Sequence, residues 1–595
     1  MLCLEVKRGL VMERVLQCTG EVVFNGQLYD NKIMKSIVEN IKHKLISSGK
    51  LKGNSVVAVY LDRGVELLAS VCALFEMNIT FLLMNKEIPT SRLEYMLDKA
   101  KVDIVISSYE QECDFLDIEV INVGTIDNLI KHNYLDSVKF GYISNEISYV
   151  IFTSGSTGMP KAVQVRKSGL INFIQSVPKL TSIDSNTIIG CFTNSTFDIF
   201  ILESIAALYS GARVVMGDDE TCDNVKLLTQ CIVNNKINTL QFTPSRLRMI
   251  HKIDPQFECL KQVKVLLIGG ESFPEELLKD LQKNTTAKLF NMYGPTETTI
   301  WSTISELTNK KSVDIGVPIK DTDVYVVNME SLESDTLIFV EKESDEIGEI
   351  CIAGKGLAAG YINDSEQTNR SFISKKINGK ITRLYRTGDL GKYGNNGELL
   401  CLGRIDNQIK YNGHRIELEE IEAHINQIEG ISGCAVGFSN KYNKICAFMI
   451  KSSEEFFLVE DGIKQLLLKT MPQYMCPSLC MFVNDLIYTS SGKIDRKCMV
   501  QKYAENEQCI QQNTVSYGDG IDIESQLIQL FATITGEKDV NLQTQLEGKI
   551  NSIQYINLIV ELEELFKMEF EDDKLSMLEF KTIGDIADYL RNFQK

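Results

Sequence analysis

Short apolar runs alternate with longer amphipathic ones through the first part of the chain. Ser55–Leu61 predicts a strand, Gly64–Glu76 a helix, Ile79–Met84 a strand and Val102–Ser107 another. That alternation is the signature of βα units around a parallel sheet. The same grammar returns at Lys236–Phe242, Val263–Ile268 and Ala287–Met292, β-rich runs separated by polar helical stretches. Each ends in a loop of function-capable residues (QFTPS, GGES, YGPTE), and open α/β sheets bind ligands where such strands end. After residue 340 the runs shorten and hairpin signals appear, as in EIGEICIAG and NNGELLCLGRID. A smaller α+β unit is expected after Asp406. Its helix over Glu417–Glu429 carries Ile421, Ile425 and Ile428 on one face and stops at Gly430. Residues 504–520 are polar, end in Gly-Asp-Gly and read as a linker. The segment from 521 onward is mostly helical in pattern.

Composition narrows the function classes. A chain of 595 residues is too long for one core, and roughly two to four domains are expected. Hydrophobic content of 44% and a mean hydropathy of -0.06 are those of an ordinary soluble protein. A net charge of -18 repels nucleic acid, so a nucleotide must be held by local donors. Sixteen cysteines without CxxC pairs predict reduced thiols and a cytoplasmic location. The opening MLCLEVKRGLVMERV lacks the apolar core of a signal peptide. Leu67–Met84, the most apolar stretch, carries Glu76 and Asn78, which argues against a membrane span. Residues 521–595 hold fifteen acidic against seven basic side chains, a surface suited to basic partners.

The most informative stretch is YVIFTSGSTGMPK, Tyr149–Lys161. An apolar strand enters a loop whose glycines let backbone N–H groups converge. Thr153, Ser154, Ser156 and Thr157 add hydroxyl donors, and Lys161 supplies a point charge. Such a loop cradles a polyphosphate. It is not a Walker loop, because GxxxxGK[ST] is absent. The alternative is a plain serine–glycine turn.

Further motifs follow in order: Phe197–Asp198, NMYGPTETT from Asn291, GEICIAGKGLAAGY from Gly348 and YRTGD from Tyr385. Then come GRIDNQIKYNGHRIELEEIE from Gly403, MPQYMCP from Met471 and SGKIDR from Ser491. The set resembles the adenylation domains of nonribosomal peptide synthetases, members of the acyl-adenylate-forming superfamily, over nearly all of residues 20–505.

The resemblance implies an α/β fold: a large N-terminal core of parallel sheets with helices plus a small β-barrel (1–404), and a mobile α+β lid (405–505). A linker (506–520) and an all-α four-helix carrier (521–595) would follow. It implies ATP and Mg²⁺ as cofactors. Thr153–Gly158 (Thr153, Ser154, Gly155, Ser156, Thr157, Gly158) and Lys161 would wrap the β and γ phosphates. Tyr293 would offer adenine an aromatic face and Asn291 a polar edge, Gly270 and Gly294 would also belong to the ATP site, and Glu297 would meet Mg²⁺ with Thr298 near the α-phosphate. Asp389 would take the ribose hydroxyls, and Arg404 the same sugar or phosphate. Lys493 would bridge the substrate carboxylate and the α-phosphate. Asp406 matches the hinge and Gly413 the passage for a pantetheine arm, so that one site hosts two half-reactions.

By the same resemblance Asp198 binds a substrate α-ammonium. The rest of the pocket is Ile199, Leu202, Gln241, Leu267, Gly269, Met292, Ile300 and Trp301. This set resembles glycine-selecting pockets, with the single tryptophan of the chain filling the side-chain space. Glycine is expected first and alanine second, since one methyl is weakly discriminated. Each residue alone has a plainer reading, Asp198 as a turn cap and Trp301 as a core aromatic.

INSIQYINLIVELEELFKMEF, Ile550–Phe570, resembles the serine-bearing stretch of carrier proteins. Ser552 would bear 4'-phosphopantetheine, added by a phosphopantetheinyl transferase, and its plainer reading is an N-cap. The chain departs from the family at Ala162, at MNITFLLMN (Met77–Asn85), at Gly548-Lys549 and at Asn551. A separate condensation or other carrier-processing enzyme is the expected partner; nucleic acid and membrane are not. The alternatives are an acyl-CoA synthetase-like enzyme, a D-alanine-carrier-ligase-like enzyme, or a non-catalytic nucleotide-binding scaffold.

Overall fold

The structure is a computed structural model. It describes residues 18–108, 118–131, 145–155, 158–334, 336–395, 397–452, 460–488, 494–505, 523–535, 537, 540–546, 549–550, 555, 558–559, 562 and 580–593. The chain divides into two compact units. One is the chain through Asp218 with Cys231–Glu420, and the other is Asp219–Gln230 with Ile421 onward.

Two sheets form the body of the first unit. In the six-stranded sheet the order is Glu119–Asn122, Ile104–Ser107, Val56–Tyr60, Thr80–Met84, Ile147–Thr153, Lys161–Arg166. All neighbours are parallel except the last pair, a hairpin. The nine-stranded sheet has a parallel centre of Arg213–Met216, Ile188–Cys191, Thr239–Phe242, Val265–Gly269 and Lys288–Tyr293. On one side Thr303–Glu306 runs antiparallel to Lys288–Tyr293, with Val317–Pro318 paired outside it.

The apolar stretch from Leu67 resolves into a helix, Val65–Glu76, a turn and the strand Thr80–Met84. Ten of the helix's residues, Val65 and Leu67–Phe75, are buried, as expected of a helix that is hydrophobic on every side. They share one core with both sheets. The turn after it needs a left-handed residue, and Asn78 supplies φ 60°, a conformation asparagine tolerates.

An antiparallel sheet follows: Thr322–Val327, Gly348–Gly354, Lys380–Tyr393 and Phe372–Ile377, with Leu399–Arg404 also on Lys380–Tyr393. The small barrel expected here is an open five-stranded sheet among the described residues, because its edge strands do not pair with one another. A two-residue hairpin, Gln408–Tyr411 with His414–Glu417, turns at Asn412 (φ 50°) and Gly413 (φ 82°). That Asn-Gly pair is the sequence such a turn demands.

In the second unit Ile431–Ser439, Lys444–Lys451 and Leu479–Phe482 form a three-stranded sheet. The helix expected over Glu417–Glu429 is shorter, Leu418–Ile425. Beyond it the N–H groups of Gln427, Ile428 and Ile431 bond three residues back, so the chain tightens into turns before Gly430 (φ 92°) releases it. The linker expected at 506–520 lies outside the described residues. In the C-terminal segment helices Ile523–Thr535 and Ile583–Phe593 share a core of Leu527, Phe531, Tyr555, Leu558, Leu562 and Ile586.

Candidate functional site

The serine–glycine loop is the tip of a hairpin, with Thr153 opposite Lys161 across it. Only glycine fits at 155, where a Cβ would lie 2.0 Å from the Met159 carbonyl. Gly158 then turns back with φ 86° and its N–H on the Gly155 carbonyl at 3.1 Å. Ser156 and Thr157 lie outside the described residues.

The donors of this loop meet groups of the segment Gln408–Glu420, in the same unit. The Gly155 N–H donates to Glu420 Oε2 at 2.8 Å. Lys161 Nζ stands 3.4 Å from Glu417 Oε1. The Ser154 hydroxyl donates to the Arg415 carbonyl at 2.8 Å and accepts from the Glu417 N–H at 3.2 Å. Burial raises the Glu417 carboxyl, opposed by Lys161 and Arg415.

Glu297 is buried at the start of the turn after Lys288–Tyr293. Oε1 takes the Tyr361 hydroxyl at 2.8 Å, and Oε2 takes Arg415 Nη1 at 2.7 Å. Burial acts against its charge, but the Arg415 guanidinium and the Tyr361 hydroxyl hold it below the ordinary carboxylate range. Among the described residues no group of three or more His, Cys, Asp or Glu is placed to hold a metal. Both Glu297 oxygens are engaged, and use of Oε2 by any other group requires Arg415 to move.

The structure brings Tyr293 and Asp389 together: the Tyr293 hydroxyl donates to Asp389 Oδ2 at 2.6 Å. Arg404 lies across the strand pair from Asp389 and donates to its Oδ1 at 3.2 Å. Its other nitrogens grip Asp406 at 2.8 and 2.5 Å. Gly388 makes room for this guanidinium, since a Cβ there would lie 2.7 Å from Nη2, and its φ of 70° adds a second reason for glycine. Asn291 donates to the Asp314 carbonyl at 2.8 Å. The Thr298 hydroxyl bonds Ser302 and the Pro295 carbonyl.

Asp198 stands at the start of a short helix that passes through a π-helical turn, Leu202–Ala206. It is buried, the Thr296 hydroxyl bonds its carboxyl, and Oδ2 has no partner among the described residues. Burial pushes its pKa up to about 6. The Gln241 amide nitrogen and the Trp301 indole nitrogen are likewise buried without partners. Gly269, Met292 and Trp301 converge: a Cβ on Gly269 would sit 2.4 Å from the Met292 carbonyl and 2.8 Å from Trp301 Cη2. Ile199, Leu202, Leu267, Met292, Ile300 and Trp301 are all buried. Gly270 (φ 87°) faces Ile199, and Gly294 packs under Trp301.

Gly413 donates its N–H to Glu271 Oε1 at 2.5 Å, while Ser245 donates to Oε2 through its N–H (2.9 Å) and hydroxyl (2.6 Å). His414 packs edge-on against Phe197 at 4.6 Å. Lys493 and Ser552 lie outside the described residues. Sequence reasoning did not single out Arg92, Glu271, Thr296, Tyr361, Arg415, Glu417 or Glu420. Tyr361, Arg415, Glu417 and Glu420 stand inside quoted motifs, and Glu271 and Thr296 inside noted loops. Their partners, however, are remote in sequence.

The family model of AMP-binding enzymes matches residues 36–362, and that of the phosphopantetheine attachment site matches residues 525–590. The chain belongs to the AMP-binding enzymes, as an adenylation domain fused to a C-terminal carrier domain. It is 32% identical over 453 residues to the dimodular nonribosomal peptide synthase of Bacillus subtilis (strain 168), covering 74% of this chain and 18% of that protein. To surfactin synthase subunit 3 of the same organism it is 28% identical over 535 residues, 88% of this chain and 40% of that one. The chain thus spans less than half the length of either relative.

Among solved structures, holo-PA1221, a nonribosomal peptide synthetase protein containing adenylation and PCP domains, superposes with a TM-score of 0.77. Identity is 21%, with 99% of this chain and 96% of that one covered. The Vibrio cholerae adenylation domain AlmE, in complex with glycyl-adenosine-5'-phosphate, superposes at 0.68 with 20% identity, covering 84% of this chain and 97% of its own. At these identities the likeness is one of fold.

Proposed function

We propose that this protein activates a small amino acid, glycine first and alanine next, and loads it onto its own carrier domain for nonribosomal peptide synthesis. The observation that carries the reading is the buried Asp198 carboxylate with an unpartnered oxygen, beside the Gly269–Met292–Trp301 convergence. A buried carboxylate with one oxygen left unsatisfied is costly, and an α-ammonium is a ligand that relieves it. A fatty or aryl acid brings no such cation.

In the activation step a carboxylate oxygen attacks the α-phosphorus of ATP and pyrophosphate leaves. Lys161 and the N–H groups around Gly155 hold the leaving phosphates, and Tyr293 and Asp389 hold the nucleoside. Lys493 neutralises the two anions that must approach, so catalysis is positioning plus electrostatics. Magnesium, arriving with ATP, would be met by Glu297 and would offset charge on the phosphates. Phosphopantetheine, once attached to Ser552, supplies the thiol that accepts the aminoacyl group. Asp406 serves as hinge, and Gly413 lines the path to that thiol. A phosphopantetheinyl transferase and a separate condensation or other carrier-processing enzyme are the implied partners, and the cytoplasm the implied location.

Space excludes larger substrates. Overfilling a packed site costs about 1–3 kcal/mol, and the Trp301 indole occupies the volume a side chain would need. Amino-acid-dependent ATP–pyrophosphate exchange across the amino acids tests the reading, with glycine expected fastest. Trp301→Ser is expected to admit alanine or larger residues. Exchange with no amino acid, or an unchanged glycine preference in Trp301→Ser, overturns it.

A further inference from the structure

Arg92 lies in the first turn of the helix Thr90–Ala100, a region no functional motif covers. Its side chain is only 9% exposed, and that of Glu420 is fully buried. Arg92 Nη1 donates to Glu420 Oε1 at 2.8 Å, while Oε2 of the same carboxylate takes the phosphate-loop N–H of Gly155, also at 2.8 Å. One turn further along the helix, the Tyr95 hydroxyl reaches the Pro160 carbonyl at 3.4 Å, which ties this helix to the far side of the same loop. No acidic residue stands in the helix's first turn, so a cation sits at the positive end of a helix. That placement calls for an anion.

The anion present is a carboxylate held as a phosphate would be, one oxygen on a backbone N–H and one on a guanidinium. Glu417 stands on Lys161 in the same way. Two carboxylates of one segment thus occupy donors that a polyphosphate would use, and both must leave before it binds. Glu420 leaves behind a buried arginine with a free charge facing the loop. Resting on the proposed ATP site, we infer that Arg92 is a further phosphate-binding residue. It holds Glu420 in the state seen here and the terminal phosphates of ATP, or pyrophosphate, once Glu420 withdraws. Glu420 is then an internal competitor of the nucleotide, and bound pyrophosphate opposes its return.

Calorimetric binding of magnesium–ATP, magnesium–pyrophosphate and AMP to the full chain, with no amino acid present, tests this. Arg92→Met is expected to weaken ATP and pyrophosphate at least tenfold and to leave AMP, which lacks the terminal phosphates, within twofold. Arg92→Lys should recover part of the loss. Glu420→Gln should bind ATP as tightly as the wild type or more tightly, because the competitor is gone. Equal loss of ATP and AMP in Arg92→Met would mark a merely structural arginine and overturn the inference. So would matching losses in Arg92→Met and Glu420→Gln, the behaviour of a simple latch. Failure of glycine activation does not register in these measurements and would count against the substrate reading alone.

Discussion

Asp198 is the residue at which pH should speak most directly. Burial raises its carboxyl to about 6, against the Thr296 hydroxyl and, more remotely, Lys410, and Glu297 raises it further. Only the ionised form attracts an ammonium, so kcat/KM for the amino acid is expected to fall as pH drops through about 6, about tenfold per unit well below it. The KM for ATP should not follow. Stability runs the opposite way. The folded chain keeps a proton that the unfolded chain, at its ordinary 3.8, has released, so this group's contribution declines as pH rises from about 4 to 6. Asp198→Asn should therefore melt higher than the wild type at pH 8, by an amount corresponding to on the order of 2–3 kcal/mol, while losing amino-acid-dependent exchange. A pH-independent kcat/KM between 5 and 8 would remove Asp198 from the substrate site.

Elements were the most legible scale, for a physical reason. Strand and helix positions follow from local periodicity, and the runs near Val56–Tyr60, Val65–Glu76, Val265–Gly269 and Lys288–Tyr293 each emerge within a few residues of their reading. The helix after Glu417 was overextended because Ile428 fits its apolar face, although the backbone had already tightened. Candidate functional strings stand out where small and polar residues are neighbours in the chain, as in the serine–glycine loop Thr153–Lys161. Arg92 does not, because its partner is 328 residues away and no spacing rule joins them. The Asn412–Gly413 hairpin joins both scales. Its turn is local, but its grip comes from Glu271, Arg415–Glu297 and Phe197–His414. Gly413→Ala places a Cβ 3.2 Å from Thr243 at a φ of 82°, which should cost about 1 kcal/mol in stability. If this hairpin serves the second half-reaction, thioester loading should slow severalfold while ATP–pyrophosphate exchange stays within twofold. Equal slowing of both would place the hairpin in activation itself.

At the scale of the whole molecule the proposed reaction draws on residues of both units of the chain. Every described group assigned to ATP or to the amino acid lies in the first unit, whereas Lys493 and Ser552 belong by sequence to the second. Activation needs charge brought to the reacting oxygens at one moment only, and a lysine on a different part of the chain from the nucleotide groups makes that possible without weakening nucleotide binding. Loading needs a nucleophile on a tether and no further cation. Crossed variants follow. Lys493→Ala should lose most amino-acid-dependent exchange, a hundredfold or more by analogy with other electrostatic groups (~10²–10³), yet still load from a preformed aminoacyl adenylate. Ser552→Ala should exchange normally and never carry an aminoacyl mass after treatment with a phosphopantetheinyl transferase. Mass spectrometry of the intact chain and exchange assays read the two arms independently. A Lys493→Ala protein that exchanges at the wild-type rate, or a Ser552→Ala protein that still acquires the glycyl increment, breaks the division of labour. The acidic composition of residues 521–595 adds a further expectation: pantetheinylation should slow as salt screens the attraction to a basic transferase, and a rate independent of salt would remove charge from that recognition.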